Sequence, residues 1–198
     1  MLILGLTGSA AMGKSTVSAM FADRGVAVFD ADRTVHALYR GAAAPVVEAA
    51  FPGTTVDGAV DRDRLRARVL GDERAMVMLE GLIHPLVKVE EVRFLTESRS
   101  AGRRVALLDI PLLFETKAEG EVNAVIVVSA PEAIQRERMM KRPGMTPERL
   151  EAMLARQVPD GEKRRRAHFV IDTGGALDET RTQVEEILRA TSGMAGAF

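Results

Sequence analysis

The sequence predicts a doubly wound, three-layer α/β fold with a mainly parallel sheet. Three observations lead there. Short, nearly unbroken apolar runs recur along the chain, amphipathic stretches of helical spacing separate them, and 198 residues suit one such core with a small insertion. A strand covered by helices on both faces reads as continuously apolar, whereas a half-exposed strand alternates.

The predicted strands are residues 2–6 (Leu-Ile-Leu-Gly-Leu), 26–29 (Val-Ala-Val-Phe), 105–108 (Val-Ala-Leu-Leu), 124–128 (Ala-Val-Ile-Val-Val) and 169–171 (Phe-Val-Ile). Helical spacing marks 15–24 and 132–142. Between 31 and 104 no strand is expected, only helices at 35–39, 61–70, 72–83 and 86–100. That interval is too long for one crossover helix and reads as a helical, substrate-binding insertion at about 32–104. The core is then 1–31, 105–142 and 158–191. A small lid is expected at about 143–157, where Pro143-Gly144 breaks the chain and Thr146-Pro147 supplies a helix cap and first turn. The Gly/Ala-rich tail, 192–198, is expected to fray.

Composition removes several functions. With 27 basic and 28 acidic side chains the net charge is -1, so neither nucleic acid nor an acidic membrane is an expected partner. The absence of cysteine excludes disulfides, thiol nucleophiles and thiolate-bound zinc. The apolar stretch at 1–11 lacks a basic leader and runs straight into Gly13-Lys14, so a secretory signal is not expected. No apolar run is long enough to cross a bilayer, and a cytoplasmic protein is the expectation.

The strongest signal is Gly8-Ser9-Ala10-Ala11-Met12-Gly13-Lys14-Ser15, which satisfies G-x-x-x-x-G-K-[ST] between a predicted strand and a predicted helix. Gly8 and Gly13 permit backbone angles that turn successive N–H groups inward as an anion nest. The helix that follows aims its positive end at the phosphates. Lys14 reaches the β- and γ-phosphates, and the Ser15 hydroxyl can ligate Mg²⁺. A Gly-rich turn that binds nothing is the plain alternative, and the flanking strand and helix weigh against it. The chemistry expected is transfer of the γ-phosphate of ATP to a hydroxyl group.

Further motifs follow the loop in order: Phe29-Asp30-Ala31-Asp32, Ile83-His84-Pro85-Leu86, Asp109-Ile110-Pro111-Leu112-Leu113-Phe114-Glu115, Gln135 with Arg138 and Arg142, and Val170-Ile171-Asp172. With these the sequence resembles the dephospho-CoA kinase family over nearly its whole length. The resemblance implies a P-loop NTPase fold and ATP-dependent phosphorylation of the ribose 3′-hydroxyl of dephospho-CoA, giving coenzyme A and ADP. It also implies Mg²⁺, a helical domain for the CoA moiety and a lid over ATP. A monomer or weak homo-oligomer is expected. Four positions depart from the family pattern: the family usually carries Gly at Ser9 and Ala11, often Ser at Met12, and usually Asn at Thr173, in a stretch thought to lie near the adenine. A Cβ at position 11 is penalised if the loop needs positive φ there.

Site expectations follow from residues and resemblance together. ATP is expected on Gly8, Ala11, Met12, Gly13, Lys14, Ser15 and Thr16. Asp32, just past the second strand, matches the family's proposed base; the bland alternative is that Asp30 or Asp32 caps the next helix. Asp109 ends an apolar run, as the Mg²⁺-positioning acid of P-loop proteins does, and is paired with Ser15 as a metal candidate; it can instead contact substrate or be structural. Arg138 and Arg142 are four apart on one predicted helix, so they share a face and can stabilise the transferring group, although exposed helical arginines are common. With Lys14 and Asp32 they are the catalytic candidates. Substrate contacts are expected from Asp32, His84, Asp109 and Leu113. His84 precedes Pro85 and is expected at a helix boundary. Lys163-Arg164-Arg165-Arg166 is read as a solvated helical face or, failing that, as phosphate contacts. The ten methionines are read as adaptable packing.

Two rivals are set against this. Another P-loop kinase would differ only in its acceptor site, for which the segments 84–86 and 109–115 favour dephospho-CoA. A nucleotide-dependent switch is the other. A guanine-reading Asn-Lys-x-Asp segment is missing where Ser129-Ala130-Pro131 follows the fourth strand. A noncatalytic ATP-binding regulator could keep Lys14 alone, but Asp32 and Arg142 speak against it.

Overall fold

The computed structural model describes residues 1–194. The chain forms two compact units, one made of Met1–Phe29 with the residues from Ser98 onward, the other of Asp30–Glu97.

The first unit is built on a five-stranded sheet of order β2-β5-β1-β6-β7. Its strands are β1 (Leu2–Thr7), β2 (Ala27–Asp30), β5 (Val105–Asp109), β6 (Ala124–Ser129) and β7 (Phe169–Asp172). β1 runs parallel to β5, with Leu6 opposite Asp109, and parallel to β6; β7 runs parallel to β6. The five predicted runs are therefore the five strands. β6 shows why they lack alternation. Its Ile126 and Val128 pack with Leu4, Val17, Phe21 and Ile187, while Val125 and Val127 face Leu113 and Phe114 on the other side. Both faces are dry, so every position from 124 to 128 is apolar.

The helices of this unit are α1 (Lys14–Asp23), α6 (Glu132–Met140), α7 (Pro147–Leu154), α8 (Asp160–Arg166) and α9 (Leu177–Met194). α7 begins as its sequence requires: Thr146 Oγ1 accepts the Arg149 N–H at 3.3 Å and Pro147 fills the first turn. α9 carries the helix through 192–194 of the tail expected to fray; residues 195–198 lie outside the described residues.

The second unit holds α2 (Ala31–Leu38), α3 (Ala43–Ala50), a hairpin of β3 (Thr55–Val56) and β4 (Ala59–Val60), α4 (Arg62–Val69) and most of α5 (Glu73–Ser100). Leu38, Val47, Phe51, Val60, Leu65, Val69, Leu79 and Ile83 form its core. Four sequence expectations are corrected here. The interval does contain strands: the hairpin turns on Asp57 and Gly58, with φ of 51° and 77°, the pair of positive angles that favours Asp-Gly in tight hairpins. α3 was not foreseen, and α2 begins at Ala31 rather than at residue 35. Finally, α5 runs straight through Pro85, so His84 lies inside a helix and not at its boundary. An interior proline costs about 3 kcal/mol. Leu79 and Ile83 before it and Leu86 and Val87 after it bury into one cluster, and that shared burial holds both halves as one helix.

Candidate active site

β1 ends at Thr7 and the chain turns through the phosphate loop into α1. Gly8 is required by space: a Cβ there would lie 2.5 Å from the Val128 carbonyl oxygen. Gly13 is required by conformation, at φ 86°. Ala11 takes φ 61°, within a turn closed by Met12 N–H donating to Ser9 O at 3.2 Å. The positive angle that penalises a Cβ is thus the one adopted. No side chain caps α1; the Thr16 N–H donates to Gly13 O at 3.1 Å, and the Lys14 and Ser15 N–H groups ahead of it are the ones open to a further acceptor. Ser15 and Thr16 are exposed in that first turn.

Lys14 Nζ is paired with the carboxylate of Asp109 at the end of β5, and the two side chains are 18% and 4% exposed. β5 and β1 are neighbours in register, which sets Asp109 beside the start of the loop. The loop is gripped elsewhere, twice at the Ala10 backbone and once at the Met12 side chain. Gln135 Nε2 donates to Ala10 O at 2.8 Å, Ala10 N–H donates to Gln157 Oε1 at 3.3 Å, and Ala130 N–H donates to Met12 Sδ at 3.1 Å. A glycine-shaped turn at a helix end without a side-chain cap, beside a lysine, is chemically suited to an anion.

The profile of the dephospho-CoA kinase family matches residues 2–179. The chain belongs to the dephospho-CoA kinase family. Curated relatives named dephospho-CoA kinase share the whole length. The one from Mesorhizobium japonicum is 56% identical over 197 residues, 100% of either chain, and the one from Brucella melitensis is 53% identical over 197 residues, 100% of this chain and 98% of the relative. Among solved structures, TT1252 from Thermus thermophilus is 33% identical with a TM-score of 0.81, covering 96% of this chain and 97% of that one. A dephospho-CoA kinase from Campylobacter jejuni has a TM-score of 0.66 at 22% identity, covering 95% and 96%. Shikimate kinase from Acinetobacter baumannii has a TM-score of 0.55 at 16% identity, covering 98% and 94%. These last two bear on the fold, which is that of P-loop kinases.

In this member of the dephospho-CoA kinase family the acidic pair at the end of β2 and the start of α2 divides its duties. Asp30 is the cap of α2, its Oδ1 accepting the Arg33 N–H at 2.8 Å. Asp32 is exposed in the first turn and is not the cap. Within the helical unit it borders a cavity of about 290 Å³ with Val35, His36, Tyr39, Arg62 and Arg66 among its walls. Burial raises the Tyr39 pKa above the ordinary phenol value, and the Arg62 guanidinium opposes that rise. His84 is exposed on α5.

Other expected positions differ. α6 stops at Met140, so Arg142 sits in the turn beyond it and does not share a helix face with Arg138. Pro143 disfavours the helical conformation for the residue before it. Arg142 is exposed, whereas Arg138 donates to Thr173 twice, Nη1 to Oγ1 at 3.0 Å and Nη2 to the carbonyl at 2.7 Å. Leu113 is fully buried with Phe114, Val125 and Val127, and in this arrangement presents no surface to a substrate. The basic run on α8 is only partly a solvated face. Lys163 is completely buried and pairs with Glu115 at 2.9 Å, and Arg166 stacks 4.3 Å over the Phe114 ring. Gln157 had no local signal in the sequence, because its role depends on the loop that folds against it. Thr173 was visible only as a departure from the family.

Proposed function

We infer that this chain transfers the γ-phosphoryl group of ATP to the ribose 3′-hydroxyl of dephospho-CoA, yielding coenzyme A and ADP. The observation that carries the reading is the uncapped, glycine-shaped loop into α1, with Lys14 held by Asp109, in a chain matched to the family along its whole length. In the reaction the 3′-oxygen forms a bond to the γ-phosphorus and loses its proton. The bond to the β–γ bridging oxygen breaks, and ADP leaves with that electron pair.

The loop amides of 13–16 bind the phosphates, and Lys14 balances charge on the β- and γ-oxygens. Asp32 orients the attacking hydroxyl and takes its proton late. Arg142, in the turn ahead of the 143–157 lid, is positioned by lid closure to offset charge on the phosphoryl group, and closure excludes water that would otherwise hydrolyse ATP. His84 and the cavity beside Asp32 belong to acceptor binding. The oxygen donors that would hold Mg²⁺ are Ser15, exposed in the first turn of α1, and Asp109 at the end of β5; its remaining ligands would be nucleotide phosphates and water. When bound, such an ion neutralises charge on the β- and γ-phosphates. No described helix is long and apolar enough to cross a membrane. We take the working enzyme to be a cytoplasmic monomer or weak homo-oligomer; the near-neutral charge bears only on partners, giving no reason to expect nucleic acid.

The test is ADP release by purified protein with Mg²⁺-ATP and dephospho-CoA, with nucleoside monophosphates, and with no acceptor. ADP formed only with dephospho-CoA supports the reading. ADP formed with a nucleoside monophosphate in its place keeps the kinase and removes the named acceptor.

A further inference from the structure

The residue after β7, Thr173, stands at the junction of four segments. Its N–H donates to Ser129 O at 2.9 Å at the end of β6. Its hydroxyl donates to the carbonyl of Met12 in the phosphate loop at 2.7 Å, and accepts from Arg138 Nη1 of α6 at 3.0 Å. Its own carbonyl accepts from Arg138 Nη2 at 2.7 Å. The side chain is 7% exposed. The loop also presses close: a Cβ on Gly13 would lie 3.2 Å from Thr173 Oγ1 and 3.3 Å from its Cγ2.

We propose that Thr173 and Arg138 are positioning residues for ATP binding, in which Arg138 acts on the phosphate loop through the Thr173 hydroxyl. The proposal rests on the reading that residues 8–15 hold the ATP phosphates. Three facts support it. A hydroxyl has one proton to give; with Arg138 donating to its oxygen, that proton has Met12 O at 2.7 Å and Ser129 O at 3.4 Å to choose from, and the shorter bond goes to Met12. The charged donor polarises the hydroxyl and strengthens the second bond. And the peptide so held joins Met12 to Gly13, between Ala11 at φ 61° and the first turn of α1, where a small rotation would turn the nest amides away from the phosphates. Position 173 thus fixes the strained part of the loop before a nucleotide arrives, lowering the ordering cost of binding. The guanidinium of Arg138, occupied by two bonds to Thr173, serves this brace in place of the transferring phosphoryl group.

The test is a double-mutant cycle on the full-length protein, reading the Kd for ATP by calorimetry alongside KM and kcat. Thr173→Val keeps the shape and removes the hydroxyl; it should weaken ATP binding about tenfold, as the loss of a buried hydrogen bond does. Arg138→Ala should weaken it to a similar degree, the double variant should be no worse than the weaker single, and KM for dephospho-CoA should stay within about twofold. Thr173→Ser restores the hydroxyl and should recover most of the affinity. A merely structural role would reduce the active fraction, lowering kcat with KM for ATP unmoved, and would overturn the proposal. So would additive losses in the double variant, or a Thr173→Ser protein as weak as Thr173→Val. If the unaltered protein binds ATP and every variant binds it equally, the brace alone is refuted. If the unaltered protein binds no ATP, the phosphate-loop reading falls and the proposal falls with it.

Discussion

Lys14, at the start of α1, and Asp109, at the end of β5, form an ion pair in which the carboxylate is all but sealed from solvent. The pairing ties the phosphate loop to the adjacent strand and aims the ammonium before any phosphate binds. Lys14→Ala removes the only side-chain cation of the loop, and kcat/KM for ATP should fall roughly 10²–10³-fold. Asp109→Asn keeps the shape but frees the lysine, and should lower kcat more than it raises KM for ATP. Steady-state kinetics on both variants separate the two effects.

Because Asp30 already caps α2, the Asp32 carboxylate is available for chemistry. Asp32→Asn should lower kcat by about 10²-fold or more while ATP affinity and folding stay as they were. Unchanged turnover would remove Asp32 from the role of base.

Ala11 holds a left-handed angle that costs an alanine about 1 kcal/mol or more. Ala11→Gly relieves that strain, although the unfolded chain gains part of it back in freedom. The net change should be a stabilisation of roughly 0.5 kcal/mol, read as a higher urea midpoint at unchanged slope.

Lys163 is completely buried against Glu115, whose Oε1 also accepts the Val158 N–H at 2.9 Å. The pair fastens the exit of the 143–157 segment to the loop after β5. Lys163→Met strands a largely buried carboxylate and should cost about 3–5 kcal/mol in unfolding free energy. Combining it with Glu115→Leu should restore much of that loss, since an apolar pair replaces both charges.

The sheet and the glycine-shaped turn into α1 were legible because local rules and tertiary structure agree there: both faces of β6 are dry, Gly8 has no room for a Cβ and Gly13 takes a positive φ. The hairpin at Asp57-Gly58 was missed, because its strands are two residues each and fall below any periodic signal. Pro85 misled for a physical reason, since burial along α5 outweighs the lost hydrogen bond and no local rule weighs the two. Lys163 and Thr173 were out of reach for another. Their roles come from partners far away in sequence, Glu115 for one and Met12 and Arg138 for the other. Leu113 misled because a segment that ends at the site was taken to face it throughout, whereas Asp109 is turned toward Lys14 and Leu113 into the core.

The most direct test of the central claim is the identity of the phosphorylated product. Dephospho-CoA would be incubated with the protein and ATP carrying a γ-phosphorus label, and the product isolated for mass and phosphorus NMR. The account predicts one added phosphoryl group, carrying the label, as a monoester on the ribose 3′-oxygen. Label found only in inorganic phosphate, or on any other oxygen of the acceptor, would contradict it.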